Sequence, residues 1–235
     1  DLENLVNEAA IFAARRGRNA LNMQDFQDAM EKIAMGPERR SRVITPEEKE
    51  VVAFHEAGHG VTMFFLQNAD PVHKITIIPR GMAGGYVMPL PESADTSLHS
   101  REHLEDRIVG LLGGRAAEEI MFGRITTGAS SDLESSTSIA RAMVTRYGMS
   151  EKVGLRVFSD DPNMVFLGRS LGEQRDYSDE TAHTIDKEVD RILKNSYDRA
   201  RSILTEHRDK LIALANMLLE VETLDRNQFE ELMAV

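Results

Sequence analysis

With 235 residues, 41% hydrophobic and 29% charged, the chain is long enough for one large domain or two unequal ones and too apolar for disorder. A formal net charge of -11 argues against a nucleic-acid partner, which would need clustered Lys and Arg. The lack of cysteine excludes disulfides, thiolate nucleophiles and cysteine zinc sites, and no apolar run approaches the length of a membrane span.

The chain opens on Asp1 and reads as a segment of a longer polypeptide. Leu5, Ala9, Ile11, Phe12 and Ala13 predict a first helix from Leu2 to Arg18, closed by Gly17 and Asn19. A second is expected from Gln24 to Ala34, with Phe26, Ala29, Met30 and Ile33 on one face and Gly36-Pro37 as its stop. The charged stretch from Glu38 to Arg42 reads as a linker. A fresh helical pattern then begins at Thr45-Pro46-Glu47, where Thr45 suits the N-cap and Pro46 the first turn.

Lys74 to Ile78 and Gly85 to Leu90 flank the turn residues Pro79-Arg80-Gly81, and they predict a small β-hairpin. Ser100 to Phe122 reads as a helix despite Gly110 and the Gly113-Gly114 pair. A loop from Gly123 to Ser131 opens into another helix that runs to Tyr147 and stops at Gly148. Residues 148–177 are irregular, with turn signals at Asp160 to Asn163 and at Gly172. A long helix follows from Asp179 to Thr205, then two shorter ones at Arg208 to Glu220 and Asp225 to Met233. The expected fold class is mainly α with a small β-hairpin or sheet.

Chemistry concentrates in His55-Glu56-Ala57-Gly58-His59. Two His residues four apart on a helix share one face, about 6 Å apart along the axis, so both imidazoles can reach a single tetrahedral cation. Glu56, next to His55, lies at the edge of that face, where a carboxylate can act as base on water. A lone buried His is more often a satisfied core residue than a ligand. Here, however, His55 and His59 share a stripe with Val52, Met63 and Leu66, and burying two imidazoles with a carboxylate needs a compensating partner. Gly58 costs about 1 kcal/mol in a helix relative to Ala, which predicts close approach by another segment. For a third ligand, spacing leaves Glu118, Glu119, Asp132 and Glu134 open. The other histidines, His73, His99, His103, His183 and His207, read as surface residues.

These residues closely resemble the FtsH family of membrane-anchored, ATP-dependent AAA+ zinc metalloproteases. The match is carried by His55 to His59, Ile78-Pro79-Arg80-Gly81, Gly113-Gly114-Arg115 with Ala117-Glu118-Glu119, and Thr127-Gly128-Ala129-Ser130 with Asp132. Val165 to Arg169 and Ser178 to Ala182 continue it, so it spans essentially the whole chain. Asp1 to Ala10 is similar to the end of the AAA+ helical lid. The resemblance implies a division into lid remnant at 1–36, linker at 37–46 and zinc-peptidase domain at 47–235. It also implies His55, His59 and Asp132 as ligands to Zn2+, Glu56 as the general base, and Glu118 as a carboxylate orienting a ligand histidine.

By the same resemblance the parent is a homohexamer that degrades unfolded or damaged polypeptide substrates. ATP and Mg2+ would bind in the parent, outside this chain. An anchor, also outside it, would hold the parent in a bacterial inner membrane with this domain on the cytoplasmic side. Two rivals are a scaffold with a purely structural metal and a stand-alone peptidase. Glu56 argues against the first and the lid remnant against the second.

Overall fold

A computed structural model describes residues 2–38, 45–81, 83–90, 98–158 and 177–234. The expected turn signals at 160–163 and Gly172, the Val165 to Arg169 stretch and linker residues 39–44 lie outside these. The elements in chain order are α1 (Leu2–Arg15), α2 (Met23–Met35), α3 (Pro46–Phe64), β1 (Val72–Thr76), β2 (Tyr86–Pro89), α4 (Arg101–Phe122), a 3-10 turn (Thr127–Ala129), α5 (Ser130–Thr145), α6 (Asp179–Glu206), α7 (Arg208–Val221), β3 (Thr223–Asp225) and α8 (Arg226–Ala234). The class is mainly α with a small antiparallel sheet.

Side-chain caps fix the starts of the long helices. Thr45 accepts from the Glu48 amide, Ser100 from His103 and Ser178 from Thr181. Asn22 and Asp25 form a reciprocal capping box on α2.

The helix α3 is the central element. Every residue from Ala53 to Thr62 is buried, as expected of a helix enclosed on all sides rather than laid on a surface. It packs against α4, α7 and β1. One apolar cluster joins Ala57, Val61, Ile75, Leu214, Leu218 and Phe229 from α3, the sheet, α7 and α8. A second joins Leu104, Ile108, Leu112, Met143, Ile185 and Val189 from α4, α5 and α6. The helix α4 supplies residues to both clusters.

Contact between α3 and α4 is backbone to backbone. A β-carbon on Gly58 would lie 2.5 Å from the Gly113 carbonyl oxygen, and one on Gly113 would lie 2.6 Å from that of Gly58. This is the close approach that Gly58 leads one to expect, and it explains how α4 tolerates its glycine pair.

The expected hairpin is part of a larger sheet. Strand β1 pairs antiparallel with β2 and, on its other side, with β3, giving the order β2-β1-β3. The third strand is only three residues long, too short to show alternation, and it takes Asp225 from the expected last helix. That helix starts at Arg226, with the Gln228 amide donating to Asp225 Oδ1 at 3.0 Å.

The buried face of α2 also differs from expectation. Asp25, Asp28, Ala29 and Glu31 are buried, whereas Ile33 is 45% exposed. The carboxylates are turned inward by cations from other segments. Arg16 and Arg18 bond Asp25, and Arg16 also bonds Asp28. Lys74 and Arg80 hold Glu31.

Candidate metal centre

Capped by Thr45, α3 presents His55 and His59 one turn apart on the side facing α4, with their rings edge to face and centroids 4.7 Å apart. Each ring has one nitrogen committed elsewhere. His59 Nδ1 lies 2.8 Å from the Gly110 carbonyl oxygen, which can only accept, so that nitrogen carries the hydrogen. His55 Nδ1 likewise donates to Glu118 Oε1 at 2.7 Å. In the neutral rings both lone pairs therefore sit on Nε2, which is the tautomer a metal ligand requires.

The two Nε2 atoms converge on Asp132. Its Oδ2 is 3.3 Å from His55 Nε2 and 3.6 Å from His59 Nε2. Asp132 stands in the first turn of α5, delivered there by the 3-10 turn, whose Thr126 cap accepts from the Gly128 amide. Among the described residues, His55, His59 and Asp132 form the one group of three such donors that could hold a metal, with ligand atoms all within 4.8 Å of one another. Gly114 leaves the room above them: a β-carbon there would come within 2.6 Å of Nε2 on both rings.

Of the other carboxylates open from spacing, Glu118 is buried behind His55 and also accepts from the Thr126 amide at 2.7 Å. It thus ties α3 to the segment that leads to Asp132. Glu119 faces away and bonds the Tyr197 hydroxyl, and Glu134 is exposed. His103 departs from the expected surface role. Its Nδ1 bonds the Asn68 carbonyl at 2.8 Å, its ring stacks on His99, and its Nε2 is buried. His207 stacks on Phe65 with centroids 3.6 Å apart.

Glu56 is buried beside this cluster. Room for its side chain comes from Gly85, just before β2: a β-carbon there would meet Glu56 Oε1 at 2.8 Å. The glycines at 85 and 114 are site residues that chemistry-based sequence reading passes over. Their only signal is a glycine at a strand start and a glycine pair within a helical pattern.

The electrostatics favour a cation. Burial disfavours a charged His55, but hydrogen bonds to Asp132 and Glu118 and the charge of Glu56 outweigh it and push its pKa up to about 10. Burial would raise Asp132, but the two histidines hold its carboxyl far below the usual range. Glu56 is pushed up by burial, partly offset by the charges of His59 and His55. Three carboxylates around two imidazoles suit a zinc ion, and the three donors that converge among the described residues leave it an open position.

A buried His-Glu-x-x-His helix with a converging carboxylate defines a zinc metallopeptidase. Residues 42–232 match Peptidase family M41, and residues 1–28 match the AAA+ lid domain. The chain belongs to peptidase family M41. It is 50% identical over 234 residues to the ATP-dependent zinc metalloprotease FtsH of Bacillus subtilis, covering 99% of this chain and 37% of that protein. It is 52% identical over 236 residues to FtsH of Chloroflexus aggregans, covering 99% and 36%. The chain therefore spans little more than a third of the length of these curated relatives. No helix among the described residues is long and apolar enough to cross a membrane.

Proposed function

We propose that this chain is the cutting part of an ATP-dependent zinc metalloendopeptidase that degrades unfolded or damaged membrane and soluble proteins. His55, His59 and Asp132 are its metal ligands and Glu56 its general base. The observation that carries this reading is the convergence of both Nε2 atoms and Asp132 Oδ2, with the Glu56 carboxylate buried alongside. A bound zinc supplies Lewis acidity, both to a scissile carbonyl and to a water molecule.

The chain's own residues do the rest. Glu118 and the Gly110 carbonyl hold the imidazoles in the ligating tautomer. Glu56 accepts a proton from the attacking water and returns it to the leaving amine nitrogen, so that one carboxylate serves both halves of the hydrolysis. Among the described residues, strand β2 is the outer strand of the sheet on the Glu56 side, with β1 on its inner edge. An extended substrate adds to its other edge through backbone hydrogen bonds, which accept many sequences.

Residues 1–36 form the end of an AAA+ lid, 37–46 a linker and 47–235 the peptidase domain. The lid match over 1–28 and the printed names of the relatives support assignment to an ATP-driven parent. That parent is a homohexamer anchored in a bacterial inner membrane, with this domain on the cytoplasmic side. Casein hydrolysis by the full-length parent tests the reading. Activity should require ATP, disappear with a chelator and return with zinc. Chelator-resistant or ATP-independent hydrolysis would refute it.

A further inference from the structure

Glu31 is 2% exposed, on a helix that begins inside the lid match and continues beyond it, yet its contacts are with the sheet. Lys74 Nζ on β1 reaches its two oxygens at 2.8 and 2.9 Å. The Tyr86 hydroxyl, from the first residue of β2, donates to Oε2 at 2.8 Å, and the Arg80 guanidinium lies 3.2 Å from the same oxygen. Tyr86 and Arg80 are themselves buried. One carboxylate of α2 therefore holds both strands and the turn between them.

The backbone around that carboxylate is equally close. Gly81 has φ of 53°, and a β-carbon on it would sit 2.8 Å from the Met35 carbonyl oxygen at the end of α2. Arg80 also bonds Glu38 at 2.8 Å, just after α2. The hairpin turn is thus clamped against the C-terminal end of α2. From Tyr86 the path to the chemistry is one residue long, because Gly85 lies against the Glu56 side chain.

The geometry points to Glu31 as a positioning residue for peptide hydrolysis: through Tyr86 and Lys74 it holds the substrate-binding edge of β2 in register with Glu56, and so links the lid helix to the peptidase site. This rests on the reading of β2 and Glu56 given above. The link is made by a buried carboxylate with three donors, so removing its charge leaves Lys74 and Arg80 without their shared counter-charge while touching neither a proposed metal ligand nor Glu56. Tyr86→Phe is the gentler cut, since it removes one hydroxyl and keeps the ring in place.

The test uses the zinc-loaded full-length protein, a fluorogenic unstructured peptide and hydrogen exchange over residues 84–90. In Glu31→Gln, KM should rise roughly tenfold, the weight of one hydrogen bond to a charged group, with kcat within about twofold. Zinc content should be unchanged and exchange at 84–90 faster. Tyr86→Phe should move KM and exchange the same way by less. Wild-type KM and unaltered local exchange in both variants would overturn the proposal, and so would exchange raised evenly across the whole chain. A parent that cannot cleave peptide, or a Glu56→Gln variant that still does, would instead sink the reading on which it rests. The local exchange at 84–90 tests the link either way.

Discussion

Gly85 lies against Glu56 so closely that a β-carbon on the glycine would fall 2.8 Å from Oε1 and 2.9 Å from Cγ of the glutamate. The same β-carbon would come within 2.6 Å of the Thr76 carbonyl oxygen on β1, so the strand cannot simply back away. The proposed base and the strand proposed to bind substrate therefore share one small volume.

Replacing Gly85 by Ala should displace the Glu56 carboxylate while leaving the metal ligands where they are. We expect peptide cleavage to fall by at least ~10-fold, since a misplacement of an ångström in a reacting group can cost 100-fold. Zinc content should match the unaltered protein. Undiminished cleavage would show that the base lies elsewhere or that this contact relaxes freely.

Glu118 joins His55 Nδ1 to the Thr126 amide, and so holds α3 and the segment leading to Asp132 at once. Truncating it to Ala should weaken zinc binding by roughly 10–100-fold, the usual cost of removing a carboxylate behind a ligand histidine. Chelator competition measures this. Unchanged affinity would contradict the role.

The Gly58–Gly113 crossing leaves no room for a methyl group. On Gly113 it would sit 2.4 Å from Thr62 Oγ1 and 2.6 Å from the Gly58 carbonyl oxygen. Gly113→Ala should therefore destabilise the fold by about 1–3 kcal/mol, the range for overpacking a tight core. Denaturant unfolding reads it, and a midpoint equal to that of the unaltered chain would contradict the close approach.

Glu188 gives an acid dependence away from the metal. Its hydrogen bond with Arg191, helped by Lys152 and Ser150 and opposed by burial, holds its pKa down to about 2 against 4.5 for a free side chain. A depressed pKa favours the folded state above about 4.5, and that contribution is lost as pH falls from there towards 2. Arg191 and Lys152 are 38% and 67% exposed, so screening reduces it to on the order of 1–2 kcal/mol. Urea unfolding between pH 6 and 3 should show a steeper loss for the unaltered chain than for Glu188→Gln. Equal slopes would refute it.

Most helices were legible in the sequence because their signals are local. Thr45, Ser100 and Ser178 are side-chain caps, and the long Asp179–Glu206 helix shows its apolar spacing plainly. The His55–Glu56–His59 segment is readable for the same reason, since all of it lies within one turn or so. Asp132 is 77 residues from His55, and only the packing of α5 against α4 brings it in, so spacing left it among four carboxylates. The β3 strand has no pattern of its own and exists through its pairing with β1. The inward carboxylates of α2 look like a solvent face until their cations, from the turn after α1, from β1 and from the hairpin turn, are in place. Gly85 and Gly114 act by lacking a side chain, which leaves almost no chemical trace.

In the proposed mechanism Glu56 moves the proton while His55, His59 and Asp132 hold the metal. Glu56→Gln in the full-length protein tests it most directly, with zinc content and ATP-supported casein hydrolysis measured on the same preparation. Zinc should be bound as in the unaltered protein and hydrolysis reduced by about 100-fold or more, the contribution of a general base. Hydrolysis at an undiminished rate with zinc still bound would contradict it.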